Sequence, residues 1–250
     1  MNPLPFCYRD RRHAGRVLAS YLMDRFVGEN PLVLALPRGG VPVGFEVAAA
    51  LGAPLDVFLV RKIGLPIQPE YAMGSLASGG LRLLDHALIE EAGVTPEELA
   101  RITAREGREL ERREELYRAG RAPLQLQGRE VIIVDDGLAT GFTMRAAAAA
   151  LRKLGCSRIT AGVPVGAEDS CAMLAAEVDL LVCPLQPSVF HSVSLWYGEF
   201  TPTEDDEVRD CLDHSLPPCT LGSMMSSAMV DRQLFNRIQR RRGFGSGGGI

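Results

Sequence analysis

Lysine is almost missing from this chain. Of 27 basic residues only Lys62 and Lys153 are lysines, and the rest are arginines. With its alanine-rich stretches, this usage reads as the base composition of the coding DNA rather than as chemistry, and it singles out each lysine. Positive charge is not in excess. Against 31 acidic residues the net charge is −4, which argues against a surface that coats nucleic acid and leaves room only for a local basic patch. None of the six cysteines is spaced Cys-x-x-Cys, and only four histidines are present, so a structural zinc site is not expected. Scattered thiols fit a reducing compartment. No apolar run approaches the roughly 20 residues of a bilayer span, and the N-terminal residues lack the apolar core of a signal peptide. The expectation is a cytoplasmic protein. What is present is ordinary for a folded chain: 46% hydrophobic and 23% charged residues over 250 positions, enough for one large domain or two small ones.

Alternating apolar runs and amphipathic stretches set the layout. Asp10 can cap a helix running to about residue 26, with Ala14, Val17, Leu18, Tyr21 and Leu22 on one face. Residues 32–36, Leu-Val-Leu-Ala-Leu, form a short apolar run between Pro31 and Pro37 and read as a buried strand. After Pro-Arg-Gly-Gly, Pro42 suits a helix first turn and residues 43–51 continue it. Residues 56–60 read as a second strand, which completes a βαβ unit. Residues 74–77 and 81–84 flank Ser-Gly-Gly as a hairpin. From Thr95 to about Arg118 the chain is densely charged, and Thr95-Pro-Glu-Glu98 has the form of a capping box. Glu and Arg at three- and four-residue spacings predict a solvated helix. The parallel pattern then resumes with strands at 131–134, 159–165 and 180–183 and helices at 142–154 and 168–176. From about Ser215 the periodicity is lost, and residues 215–250 read as a mobile tail ending in arginines and a Gly/Ser tract.

The chemistry concentrates in Val131-Ile-Ile-Val-Asp-Asp-Gly-Leu-Ala-Thr-Gly-Phe-Thr-Met144. A strand delivers Asp135 and Asp136 to its carboxyl end, where parallel sheets bind ligands. A glycine-bearing loop then opens a helix and offers free N–H groups and the positive end of the helix dipole, which suits a phosphate. Two acids beside a phosphate cradle make sense if the ligand also carries hydroxyls or a cation. The segment has neither Gly-Lys-Ser/Thr nor Gly-x-Gly-x-x-Gly, so nucleotide-hydrolase and dinucleotide loops are unsupported.

This segment resembles the phosphoribosyl pyrophosphate (PRPP) signature of the type I phosphoribosyltransferases. The resemblance extends over most of residues 8–205, takes in the Asp10-Arg-Arg12 opening, and is to an uncharacterised bacterial branch. It implies an α/β fold with a parallel sheet of about five strands flanked by helices, under a small hood. The phosphoribosyltransferase domain would span 1–214, with the charged helical insertion at about 85–120. The resemblance also implies site residues. Asp135 and Asp136 would be the catalytic acids, with an indirect part in metal binding. Leu138, Ala139, Thr140, Gly141, Phe142 and Thr143 would hold the 5′-phosphate. Arg38, Gly39, Gly40 and Lys62 would meet the pyrophosphate. Residues 66–74 would be a loop closing over the reacting centre. Phe190, with Trp196 and Tyr197 beyond it, matches the aromatic residue that covers the acceptor base in the purine enzymes. Ala139 stands where the 6-oxopurine enzymes carry an aspartate, so the resemblance implies that hypoxanthine and guanine would be poor acceptors.

The implied activity is Mg²⁺-dependent transfer of the phosphoribosyl group from PRPP to a nitrogenous base or similar acceptor. The implied partners are PRPP and a small-molecule acceptor, with room for a homodimer and no membrane or nucleic acid. Two alternatives stay open: a nucleotide- or PRPP-sensing regulator of the same fold without turnover, kept alive by Arg237, Arg240, Arg241 and Arg242, and a metal-dependent hydrolase using the same cradle.

Overall fold

A computed structural model describes residues 8–26 and 29–216. The tail arginines, Cys7 and Cys219 lie outside the described residues. Five strands form a parallel sheet: β1 (Leu32–Ala35), β2 (Leu55–Val57), β6 (Glu130–Val134), β7 (Arg158–Gly162) and β8 (Leu180–Val182), in the order β2-β1-β6-β7-β8. The apolar runs are buried on both sides, as parallel strands require. Val33, Ala35, Ile132 and Val134 face one layer of helices, while Leu32, Leu34, Val131 and Ile133 face the other. The first layer holds α1 (Arg11–Leu22), α2 (Gly40–Leu51) and α7 (Asp205–Asp213). The second holds α5 (Phe142–Lys153) and α6 (Glu168–Ala175). This is the expected five-stranded α/β core.

The order places a reversal between β1 and β6. From β1 the chain moves outward to β2, and from β6 it moves outward the other way to β7 and β8. The carboxyl ends of β1 and β6 therefore open a crevice between diverging connections, the place where open α/β sheets hold ligands. The Pro-Arg-Gly-Gly loop follows β1 and the acid pair follows β6.

Several boundaries differ from expectation. The run at 56–60 is two strands. β2 ends at Val57, Phe58 and Leu59 are buried between the sheets, and β3 (Val60–Gly64) starts a separate antiparallel sheet with β4 (Ala72–Ala77) and β5 (Leu81–Leu84). Arg61 and Lys62 thus belong to the second sheet. Residues 72–74, expected in the closing loop, are the start of β4. The β4–β5 hairpin turns on Ser78-Gly79-Gly80, where both glycines take positive φ (82° and 75°).

The charged insertion comprises α3 (His86–Glu91) and α4 (Pro96–Arg118), and the Thr95 capping box is formed in both directions. α4 is not simply solvated. Ile102, Leu110 and Tyr117 are buried on one face, and Glu106 accepts from Arg61 at 2.6 Å. At its C-terminal end Arg118 forks onto the fully buried Asp56 of β2, at 2.9 and 3.2 Å. In α1, Asp10 caps the helix by accepting from the His13 N–H at 2.6 Å, but Tyr21 is 55% exposed rather than packed. Gly15 takes its place in the contact face. A Cβ there would lie 2.7 Å from the Val43 carbonyl, so a glycine lets α1 approach α2. At the other end of the chain, Leu216 accepts from the Leu55 N–H at 3.0 Å, so the tail expected from 215 is tied to β2 at its first residues. No helix among the described residues is long and apolar enough to cross a membrane.

Candidate active site

The Pro-Arg-Gly-Gly loop and the acid pair, almost 100 positions apart in sequence, meet in the crevice. A Cβ added to Gly39 would lie 2.1 Å from Asp136 Oδ2, and one added to Gly40 would lie 2.6 Å from the Val134 carbonyl and 3.1 Å from Asp135 Oδ1. Gly40 is there because the loop backbone lies against the backbone of the acid segment, and Gly39 because the Asp136 carboxylate occupies the space of a side chain. The Pro37–Arg38 peptide is cis. Of the two glycine N–H groups expected to face an anion, that of Gly40 is spent on the Leu36 carbonyl at 3.1 Å, which leaves those of Arg38 and Gly39 without an acceptor among the described residues.

Neither acid is an exposed strand-end carboxylate. Asp136 Oδ2 accepts from Arg11 Nε at 2.7 Å, and the two side chains are 15% and 12% exposed. Asp135 Oδ1 accepts from the Asp136 N–H at 2.8 Å. Burial raises the Asp135 carboxyl well above the usual carboxylate range, and the neighbouring Asp136 charge adds to it. Asp136 is also raised by burial, against the pull of Arg11. The sequence pointed to the acids but not to Arg11. The Asp10-Arg-Arg12 opening belongs to the resemblance, but it gives Arg11 no role, because its partner is 125 positions away.

The expected phosphate loop opens α5 as anticipated. Gly141 is the N-cap with φ 75°, and no side chain caps the helix. The N–H groups of Ala139, Thr140, Gly141 and Thr143 have no acceptor among the described residues. Leu138 differs from the rest. Its N–H donates to the Val165 carbonyl at 2.8 Å, its carbonyl accepts from Ala167 at 2.9 Å, and its side chain is buried in the core. It pins the loop to the β7–α6 connection and has no donor left for an anion. Ser170 Oγ reinforces the pin on the Ala139 carbonyl at 2.6 Å. Phe142 has only a long contact, from its N–H to Thr140 Oγ1 at 3.5 Å.

The two expected pyrophosphate cations rest on acids at the surface. Lys62 Nζ lies 3.0 Å from both the carboxylate and the carbonyl of Glu70, which is 95% exposed. Arg38 Nη1 lies 3.8 Å from Glu204 and 3.6 Å from Asp205, ahead of and at the start of α7. Exposed pairs of this kind contribute about 0–1 kcal/mol and exchange readily.

An aromatic cluster covers the carboxyl ends of β6 and β7 and corresponds to the expected hood. Tyr8, Trp196 and Tyr197 are buried in it, with Phe190 and Phe200 packed alongside. The Tyr8 hydroxyl donates to the Pro164 carbonyl at 2.7 Å, and the Tyr197 hydroxyl donates to the Asp136 carbonyl at 2.5 Å. Burial pushes the Tyr8 phenol up to about 12 and raises that of Tyr197 further, so both stay protonated as donors. Phe190 stacks on Trp196 with centroids 6.4 Å apart and planes 19° from parallel. It is half-buried, so one of its faces is already used in packing.

Among the described residues no group of three His, Cys, Asp or Glu side chains gathers as a metal-binding cluster. Asp136 Oδ2 is held by a guanidinium, while Asp136 Oδ1 and both Asp135 oxygens meet no side-chain donor among the described residues. A hard ion such as Mg²⁺, held by one carboxylate, water and substrate phosphates, is compatible with that donor set.

Comparison with known proteins agrees with this arrangement. Residues 10–184 match the family model described as phosphoribosyl transferase domain. Two Mycobacterium tuberculosis proteins, named "Putative phosphoribosyl transferase MT0597" and "Putative phosphoribosyl transferase Rv0571c", are each 42% identical over 208 residues, which is 83% of this chain and 47% of theirs. The chain thus spans about half the length of the curated relatives it matches. The crystal structure of TT1426 from Thermus thermophilus superposes with a TM-score of 0.75 at 39% identity, covering 83% of this chain and 98% of that one. The chain belongs to the phosphoribosyl transferase domain family.

Proposed function

We propose that the chain transfers the phosphoribosyl group of PRPP to a nitrogenous base or similar acceptor, with Mg²⁺ carried on the substrate diphosphate, and releases pyrophosphate. The observation that carries this reading is the meeting of Gly39 with Asp136 in the crevice between β1 and β6. One side of that contact offers free N–H groups for an anion and the other offers carboxylates for hydroxyls, and a phosphorylated sugar diphosphate has both. The N–H groups of Ala139, Thr140, Gly141 and Thr143, at the positive end of α5, hold the 5′-phosphate. The acids hold the ribose hydroxyls and favour the positive charge that develops at the anomeric carbon as the diphosphate leaves. Arg38 and Lys62 leave their surface acids for the departing diphosphate. Positioning and electrostatics account for this chemistry without a covalent nucleophile.

Calorimetric titration with PRPP and Mg²⁺ tests the site itself. Saturable binding with one PRPP per chain, displaced by both ribose 5-phosphate and pyrophosphate, is the expected result. Failure of PRPP to bind overturns the reading.

Two substitutions separate the ends of the ligand. Lys62→Ala is expected to weaken PRPP binding by more than about tenfold and to leave ribose 5-phosphate binding nearly intact, since a charge-assisted contact contributes about 1.5–3 kcal/mol. Equal weakening of both would remove Lys62 from the diphosphate. Phe190→Ala is expected to raise the KM for the acceptor about 5- to 100-fold, by loss of a stacking surface of about 1–3 kcal/mol. The KM for PRPP should barely move. If the acceptor KM is unchanged, the stack on Trp196 is the whole role of Phe190.

A further inference from the structure

Arg11 has no part in the transfer as proposed, yet it is the most constrained cation at the site. Its Nε donates to Asp136 Oδ2 at 2.7 Å, its Nη1 donates to the Thr201 carbonyl at 2.7 Å, and its guanidinium carbon sits 3.8 Å above the centre of the Phe200 ring. A Cβ on Gly39 would come within 3.3 Å of the same Nε. One side chain thus binds the acid motif and the hood segment and borders the Pro-Arg-Gly-Gly loop. Its own position is locally unfavourable. Arg11 is the first residue of α1, directly after the Asp10 cap, and the turn itself contains no acid, so a cation sits at the end of the helix dipole that disfavours one. Departures from a local rule concentrate where another demand is being met. The two acids are also unequal. Asp136 is bound through Oδ2 to a fixed guanidinium, whereas Asp135 accepts only from the Asp136 N–H among the described residues.

We infer that Arg11 is a positioning residue: it fixes the Asp136 carboxylate in one orientation against Gly39. This rests on the phosphoribosyl-transfer reading above. Arg11 is assigned no contact with substrate in that reading. It acts through Asp136, and its planar fork is what lets it reach Asp136 and the Thr201 carbonyl at once, which an ammonium does not reproduce.

Steady-state kinetics on Arg11→Gln, Arg11→Lys, Asp136→Asn and the Arg11→Gln/Asp136→Asn double variant, each with its melting temperature, test this. Arg11→Gln is expected to lower kcat about tenfold or more, because small misplacements of reacting groups cost that much. The KM for PRPP should stay within about threefold, since the phosphate and diphosphate contacts are untouched. Arg11→Lys should recover part of the kcat. The double variant should lose little more than the worse single variant, as expected for residues acting as one unit. If Arg11→Gln does not fold, Arg11→Lys carries the test, with a lowered kcat at an unchanged KM for PRPP. Wild-type kcat in the Arg11 variants, a rise in KM with kcat unchanged, or losses that add in the double variant would overturn the inference while wild-type turnover still supports the transfer. No turnover by the wild-type chain with PRPP and any base overturns both.

Discussion

Asp135→Asn is expected to cut turnover about 100-fold or more and to leave the chain as stable as before, or more stable. Loss of a carboxylate that strengthens its hold as positive charge develops on the sugar lowers kcat by this order. Stability runs the other way. Burial and the neighbouring Asp136 charge raise the Asp135 carboxyl above its value in an unfolded chain. A group whose folded value is raised binds its proton more tightly when folded, so its ionised form destabilises the fold, and stability falls as pH rises through the window between the two values. Asparagine keeps the shape and removes the charge. At neutral pH the variant should melt at the wild-type temperature or above it, and the pH dependence of melting above the ordinary Asp range should flatten. A variant with normal turnover would remove Asp135 from the chemistry. A large fall in melting temperature would show that the carboxylate is a packing element. Asp136→Asn should behave differently, because it leaves the Arg11 guanidinium short of its anion, and breaking a part-buried pair costs stability.

Gly39→Ala is the second large effect. Gly39 has φ −58° and ψ −32°, an ordinary helical conformation that alanine adopts without strain. Any damage therefore reports on space alone. The new methyl carbon would sit 2.1 Å from Asp136 Oδ2 and 2.7 Å from its carboxyl carbon. The carboxylate is held in place by Arg11, so loop and acid must part. We expect turnover to fall about 100-fold, in line with the cost of a misplacement of about 1 Å, and stability to fall by about 1–3 kcal/mol. Gly107→Ala in α4 serves as the control. Its nearest neighbour would be Leu76 Cδ1 at 3.9 Å, and alanine in a helix interior should raise stability by about 0.5–1 kcal/mol with activity unchanged. Equal behaviour of the two variants, judged by melting temperature and kcat, would refute the close approach as the reason for glycine at 39.

The parallel core and the acid motif are legible in the sequence because each depends on local patterning. Short apolar runs alternate with helical stretches, and the Thr95 box and the Asp10 cap form within four residues of where they are read. What escaped depends on partners far along the chain. Asp-Val-Phe-Leu-Val at 56–60 looks like one strand because Phe58 and Leu59, which cross between the two sheets, are as buried as strand residues. Asp56 reads as an unremarkable polar strand residue until Arg118, 62 positions later, forks onto it. The same blindness hides Arg11. The opening that contains it fits the resemblance, but no role shows until the fold brings Asp136 and the Thr201 carbonyl to it. The loss of Leu138 and Gly40 as anion donors also lies in backbone bonds to β7 and β1 neighbours, which a motif does not display.

The claim on which the rest depends is acceptor-dependent transfer. Phosphorus NMR of PRPP and Mg²⁺ incubated with the chain, alone and with a panel of purine and pyrimidine bases, reads it directly. The account predicts that PRPP persists without a base. With one base or a related set, pyrophosphate and a nucleoside monophosphate should appear in equal amounts. Pyrophosphate and ribose 5-phosphate forming equally fast without any base would show a hydrolase. PRPP signals broadened by binding yet unconverted with every base would show a sensor. Either result contradicts the account.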